Sequence, residues 1–195
     1  MRNYNIPLLC LSHKKFKTVG QEELRRKYDR EVNNKISSFA CDVCVLAGYM
    51  LIVSQALCQQ HDMINLHPAP PGGPVGSWQD VIWALIDTKS DTARAIMHLV
   101  TPELDKGPIV SYCLFPIKGE PFARYWRKGD RDALFRLIRR HELAREFPPI
   151  TLTLQSLSRG DISIRAGAVT DAQGRATSGY NLTHRVDEEV KKILR

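Results

Sequence analysis

Apolar and polar positions along this chain alternate between two periods, and the switches between them outline strands and helices. Residues 6–11 form a short apolar run compatible with a buried parallel strand. Residues 21–36 carry Leu24, Tyr28, Val32 and Ile36 at intervals of four among charged neighbours, which predicts a helix with one inward face. Residues 43–47 read as a second buried strand ended by Gly48, and residues 54–58 as the start of a short helix with Ser54 at its N-cap. Residues 63–67 make a third strand, stopped by Pro68. Residues 68–76 combine four prolines with three glycines, so they must be a loop leaving that strand.

Ser77 then caps a helix through Trp78, Val81, Ile82, Leu85 and Ile86. Residues 95–100 predict a strand, 101–107 a loop carrying Asp105, and 108–117 a further extended run. Residues 130–146 predict a basic helix with Leu134, Phe135, Leu137 and Ile138 as its buried stripe. Residues 150–157 are apolar with no decisive period. Residues 162–169 suggest a hairpin, 171–174 a turn, and 185–195 a short amphipathic helix whose role is packing. No internal repeat is visible. The order of elements predicts an α/β fold with an open, mostly parallel sheet, helices on both faces and a small C-terminal helix and hairpin extension. The division falls at residues 1–148 for the main domain and 149–195 for the extension packed on it. In such sheets ligands gather at the carboxyl ends of strands, where Tyr49-Met50-Leu51 and Asn65/His67 both fall.

Composition narrows the function classes. The longest apolar run, residues 43–53, is too short to span a bilayer and contains Gly48. Residues 6–11 run straight into Ser-His-Lys-Lys, unlike a signal peptide, so a cytoplasmic protein is expected. The five cysteines are irregularly spaced, which argues against a disulfide framework. Cys41 and Cys44 are three apart at the opening of a predicted strand, where alternate residues face opposite ways. With no further ligand pair visible, structural thiols and no metal are expected. The net charge of +7 is spread among acidic residues, and the basic stretch from Arg124 to Arg140 rides on a helix with a buried stripe. A solvated face, or a rim attracting anionic small molecules, fits better than a nucleic-acid surface.

The candidate chemistry lies in Ile64-Asn65-Leu66-His67-Pro68 and in the later loop with Asp105. Asn65 and His67 are two apart and so project from the same side of a strand. An amide offers a donor that titration cannot remove, an imidazole moves protons near neutral pH, and a carboxylate can raise the pKa of that imidazole. A tetrahedral oxyanion with a proton to relay calls for those groups. An isolated Asn-x-His-Pro would more simply satisfy loop backbone groups. The flanking residues favour the catalytic alternative.

Those flanks are Val45-Leu-Ala-Gly-Tyr-Met50, Ile64-Asn-Leu-His-Pro68 and His98-Leu-Val-Thr-Pro-Glu-Leu-Asp-Lys-Gly-Pro-Ile-Val110. In this order and spacing they resemble the motifs of folate-dependent formyltransferases, above all those of the glycinamide ribonucleotide type. The resemblance implies a Rossmann-like formyltransferase sheet with Asn65, His67 and Asp105 as catalytic residues. It implies 10-formyltetrahydrofolate as formyl donor, an amine such as glycinamide ribonucleotide as acceptor, and a place in purine biosynthesis. It puts Met50, Leu51, Ile52 and Val53 on the segment that meets the pterin, with Asn65 beside it, and Arg25 near the folate. It makes His98 structural.

The chain also departs from that family. The family's opening strand and Gly-Ser-rich phosphate loop have no counterpart, so an N-terminally shortened form is expected, with an open sheet edge suited to another copy or a partner chain. Ala69, Pro70-Pro71-Gly72-Gly73 and Ala93-Arg94 differ from the family pattern, and the acidic residue near the amine is matched loosely by Glu142. A formyltetrahydrofolate hydrolase, a transferase with another acceptor, and a non-catalytic folate-binding subunit remain open alternatives.

Overall fold

The computed structural model describes residues 4, 6–16, 20–69 and 76–193. In chain order the elements are α1 (Gln21–Ile36), β1 (Cys44–Leu46), α2 (Gln55–Gln60), β2 (Met63–His67), α3 (Trp78–Asp87), β3 (Thr92–Leu99) and β4 (Ile109–Pro116). They continue with α4 (Ala123–Lys128), α5 (Arg131–Leu143), α6 (Phe147–Arg159), β5 (Ile162–Arg165), β6 (Ala168–Asp171), β7 (Tyr180–Asn181) and α7 (Thr183–Ile193). Five strands form one sheet in the order β1-β2-β3-β4-β7, and β5 pairs with β6 as a separate hairpin. The β1/β2 and β4/β7 pairings are parallel, whereas β3 runs antiparallel to both its neighbours. The expected α/β architecture is therefore present, with a mixed order of strand directions.

Alternation sorts the side chains. On β2, Ile64 and Leu66 sit opposite Leu99 and Met97 of β3. Ile64, Met97, Leu99 and Val110 join Ile162 and Val169 of the hairpin in one buried cluster. Further along the sheet, Ala95 and Cys113 pack with Leu152 of α6 and Leu182, Val186 and Val190 at α7. Ala93 and Phe115 pack with Ile82 and Ile86 of α3 and Leu134 and Ile138 of α5. Residues 149–193 thus share the core of the sheet and add β7 to it. Met63 points the other way, to Val53, Leu57 and the half-buried Val32 of α1. That leaves Asn65 and His67 on the Met63 side of β2, next to His98 and Ile96 respectively.

Several sequence expectations need correction. Residues 6–11 are not a strand; they are irregular and largely exposed, with Leu8 63% accessible. No neighbouring strand among the described residues takes up their backbone groups, and without a ladder an apolar run has no reason to extend. Ser54 does occupy the N-cap of α2, but its side chain makes no capping bond. Its N–H donates instead to Oδ2 of the buried Asp29 on α1 at 2.5 Å, so a carboxylate joins the half-buried Val32 in fastening α1. Residues 150–157 lie within α6, whose Pro148 and Pro149 fit in the first turn, where N–H groups have no helical acceptor. The short α4 and β7 went unpredicted. The prolines and glycines at 70–75 lie outside the described residues. The cap at Ser77 is present as a full capping box with Asp80.

The turn from β3 into the Asp105 loop depends on close backbone approach. The Leu99 N–H donates to the Pro108 carbonyl at 2.8 Å. A Cβ on Gly107 would stand 1.6 Å from the Leu99 carbonyl oxygen. Gly107→Ala is therefore expected to force the loop off β3 and destabilise the fold by about 3 kcal/mol, read as a lowered urea midpoint. A midpoint equal to wild type would refute this account of the loop.

Candidate active site

The end of β2 and the adjoining turns enclose a cavity of about 760 Å3, a size suited to a drug-sized or cofactor-sized molecule. Its wall includes Met50, Leu51, Ile52 and Val53 from the β1–α2 turn, and Asn65 and His67 from β2. His98 comes from β3, Asp105 from the following loop, and Arg139, Glu142 and Glu146 from α5 and its end. Asn65, His67 and Asp105 are brought together as expected, and so is the Met50–Val53 segment. Arg25 is not brought into this wall. It lies on α1 with its Nε buried and without a hydrogen-bond partner.

The strand register assembles the polar group. Asn65 stands directly opposite His98, and its Nδ2 is 3.4 Å from His98 Nε2. The other ring nitrogen of His98, Nδ1, is 3.0 Å from the Leu99 carbonyl. If the Nδ1–H donates to that carbonyl, Nε2 is free to accept the Asn65 amide hydrogen. Asp105 lies against both imidazoles, with Oδ1 3.4 Å from His98 Nε2 and Oδ2 3.7 Å from His67 Nδ1. The second distance exceeds a direct hydrogen bond, so Asp105 acts on His67 as a nearby charge. Asp105 has φ +54, in the left-handed region that short polar side chains tolerate best. His98, expected to be structural and buried beside the site, is 2% exposed, and its Nε2 stands 3.4 Å from both Asn65 Nδ2 and Asp105 Oδ1.

Burial decides the protonation of His67. Desolvation lowers its pKa below the usual 6.5, the Asp105 charge raises it, and His98 lowers it a little more. The sequence suggested that the carboxylate would win. It does not, because loss of solvent around a half-buried imidazole outweighs a charge too far off for a hydrogen bond. His67 is therefore neutral at pH 7 and able to accept a proton.

A second titratable group was only loosely visible in the sequence. Burial pushes the Glu142 carboxyl up to about 8, against the opposing pull of Arg139. Neither of its oxygens has a hydrogen-bond partner, and Arg139 Nη1 stops 3.6 Å away. Arg139 itself is held by Glu146 at 2.9 Å and lies over the Trp78 ring at 4.0 Å. The signal that could have found this set is the spacing of Arg139, Glu142 and Glu146 along α5 and its end, beside the apolar stripe.

An apolar turn, an amide, two imidazoles and a carboxylate thus line one cavity at the strand ends. The chain belongs to the formyl transferase family, which its residues 1–120 match. Phosphoribosylglycinamide formyltransferase of Escherichia coli is 31% identical over 97 residues, 48% of this chain and 44% of the relative. The protein of the same name from Schizosaccharomyces pombe is 33% identical over 102 residues, 48% of this chain and 49% of its own. The chain spans about half the length of these curated relatives. Among solved structures, a phosphoribosylglycinamide formyltransferase of Coxiella burnetii superposes with a TM-score of 0.64 at 17% identity, covering 92% of this chain and 77% of that one. A formyltetrahydrofolate deformylase of Pseudomonas putida does so with a TM-score of 0.54 at 19% identity, covering 75% and 48%. These structural likenesses establish the formyltransferase fold. Among the described residues no helix is long and apolar enough to cross a membrane.

The electrostatic balance at His67 can be checked by NMR titration of its ring. Its pKa should lie below 6.5 in the folded chain, fall further in Asp105→Asn, and rise in His98→Asn. The sign for stability follows. The unfolded chain binds this proton more readily, so stability is lost as pH falls from about 6.5 through the lower folded value. An unshifted ring would contradict the burial argument.

Proposed function

We infer that this chain transfers a formyl group from N10-formyltetrahydrofolate to an amine, with glycinamide ribonucleotide as the acceptor in purine biosynthesis. The observation that carries the proposal is the convergence of Asn65, His67 and Asp105 on one cavity whose other wall is the apolar Met50–Val53 turn. Met50 is 89% exposed, and Leu51 and Ile52 are also open to solvent, so an apolar ring system could cover them and meet free backbone groups there.

In this assignment the amine nitrogen attacks the formyl carbon, and a C–N bond forms as the carbonyl electron pair moves to oxygen. The Asn65 Nδ2–H donates to that oxyanion and stabilises it where charge develops. His67, neutral at pH 7, takes a proton from the attacking nitrogen and returns it to N10 as the C–N10 bond breaks. Asp105 stabilises the imidazolium while it lasts, and His98 Nε2, accepting from the Asn65 amide, holds that amide in place. Glu142, with two unpaired oxygens in the wall, suits the amine side. Hydrolysis is the second assignment, with water in place of the amine, since a deformylase shares the fold.

Tetrahydrofolate release from 10-formyltetrahydrofolate, measured with and without glycinamide ribonucleotide, separates the cases. Acceptor-dependent release is expected. Acceptor-independent release would assign a hydrolase, and folate binding without turnover a non-catalytic subunit. His67→Ala should lower turnover by about 10²- to 10⁴-fold while folate binding changes little. Undiminished turnover would remove His67 from the chemistry.

A further inference from the structure

Away from the catalytic cavity, a second cluster of side chains has a metal-ligating composition. Cys41, Cys44 and His61 each bring one ligand-capable atom to within 4.8 Å of the others. None of the three lines the catalytic cavity. Strand alternation had argued against this pair of thiols, but β1 begins only at Cys44, and a bend at Asp42 separates it from Cys41. Released from alternation, the two sulfurs approach to 3.6 Å.

That separation is the contact distance of two reduced thiols, longer than a disulfide and close to what one shared ion requires. Bonded sulfurs would lie about 2.05 Å apart. Two thiolates on one tetrahedral zinc, each at about 2.3 Å, lie about 3.8 Å apart. A dithiol pair also needs no imidazole, and here one is present. His61 Nε2 is 2.7 Å from the Asn33 amide oxygen. An N–H donated to that oxygen leaves Nδ1 with its lone pair, which is how outer-shell acceptors orient ligating imidazoles.

The backbone holds each part before any ion arrives. Cys44 donates its N–H to the Asp62 carbonyl at 2.9 Å, and the His61 N–H donates to Leu57 at the end of α2 at 3.2 Å. Asn33 belongs to the last turn of α1. Cys41 is exposed and provides the entry path.

We propose that Cys41, Cys44 and His61 bind a zinc-class divalent cation, with Asn33 orienting His61 and solvent in the fourth position. Two sulfurs and an imidazole suit this class and not magnesium or calcium, which take oxygen ligands. On binding, both thiols give up their protons and no electron moves. The ion joins the loop after α1, the edge strand β1 and the end of α2. These elements lead into the Gly48–Val53 turn and into β2, so the ion braces the catalytic strand from its far end.

Cobalt(II) titration of the reduced, metal-free full chain under anaerobic conditions tests the site. Thiolate-to-cobalt charge-transfer absorption with tetrahedral d–d bands is expected, saturating at one equivalent and bleached by zinc. His61→Ala should weaken affinity at least about tenfold, and Asn33→Ala by about tenfold. Zinc should raise the thermal midpoint of the wild type and leave that of His61→Ala nearly unmoved. Where Cys44→Ser fails to fold, the exposed Cys41→Ser reads the loss of the sulfur band. No thiolate–cobalt band would overturn the proposal, as would equal affinity in His61→Ala. Formation in air of a Cys41–Cys44 disulfide by a chain that takes up no cobalt would assign the pair to redox chemistry instead.

Discussion

The pairing of β2 with β3 is the constraint on which the site depends. Its register sets Asn65 against His98 and Ile64 against Leu99. A slip of one residue would carry Asn65 and His67 into the apolar face and turn Ile64 and Leu66 toward the cavity. Burying an amide and an imidazole among Met97, Leu99 and Val110 without partners would cost several kcal/mol, by about 1–3 kcal/mol for each unpaired group. The apolar core on one face therefore enforces the polar geometry on the other. The bulge between Met97 and His98 and the backbone contact of Leu99 with Pro108 then turn the chain so that Asp105 returns to the imidazoles.

Within the site, burial and charge oppose each other, and burial prevails twice. It lowers the His67 pKa despite Asp105 and raises that of Glu142 despite Arg139. Both charge partners stand at more than 3.5 Å, beyond a hydrogen bond, where attraction does not repay desolvation. A neutral imidazole and a largely protonated carboxyl at pH 7 follow. Both can exchange protons with a bound substrate, which fully paired ions in the same positions could not readily do.

The β1 region connects the cavity with the Cys41–Cys44–His61 cluster through one short strand. Its carboxyl end opens into the exposed Met50–Ile52 turn at the cavity, and its amino end begins at Cys44 beside Cys41 and His61. Among the described residues β1 pairs only with β2, over three residues, and so gains little from its own ladder. Much of its placement is supplied by neighbours, through the Asp29–Ser54 bond and the packing of Val53 and Leu57 on Met63.

The sequence by itself determined the helices of strong period, the capping box at Ser77, and β2 with Asn65 and His67 on one side, because these depend on neighbours a few residues away. It also carried the family, since each of the three motifs is a continuous stretch of chain. Tertiary structure alone decided the rest. Residues 6–11 fail as a strand because a ladder needs a partner that no local pattern can supply. His98 came against Asn65 from 33 positions away, Glu142 became a buried acid without a hydrogen bond, and Cys41, Cys44 and His61 became a cluster. Protonation states also waited on the fold, because desolvation is set by everything packed around a group, whereas the sequence displays only the charges.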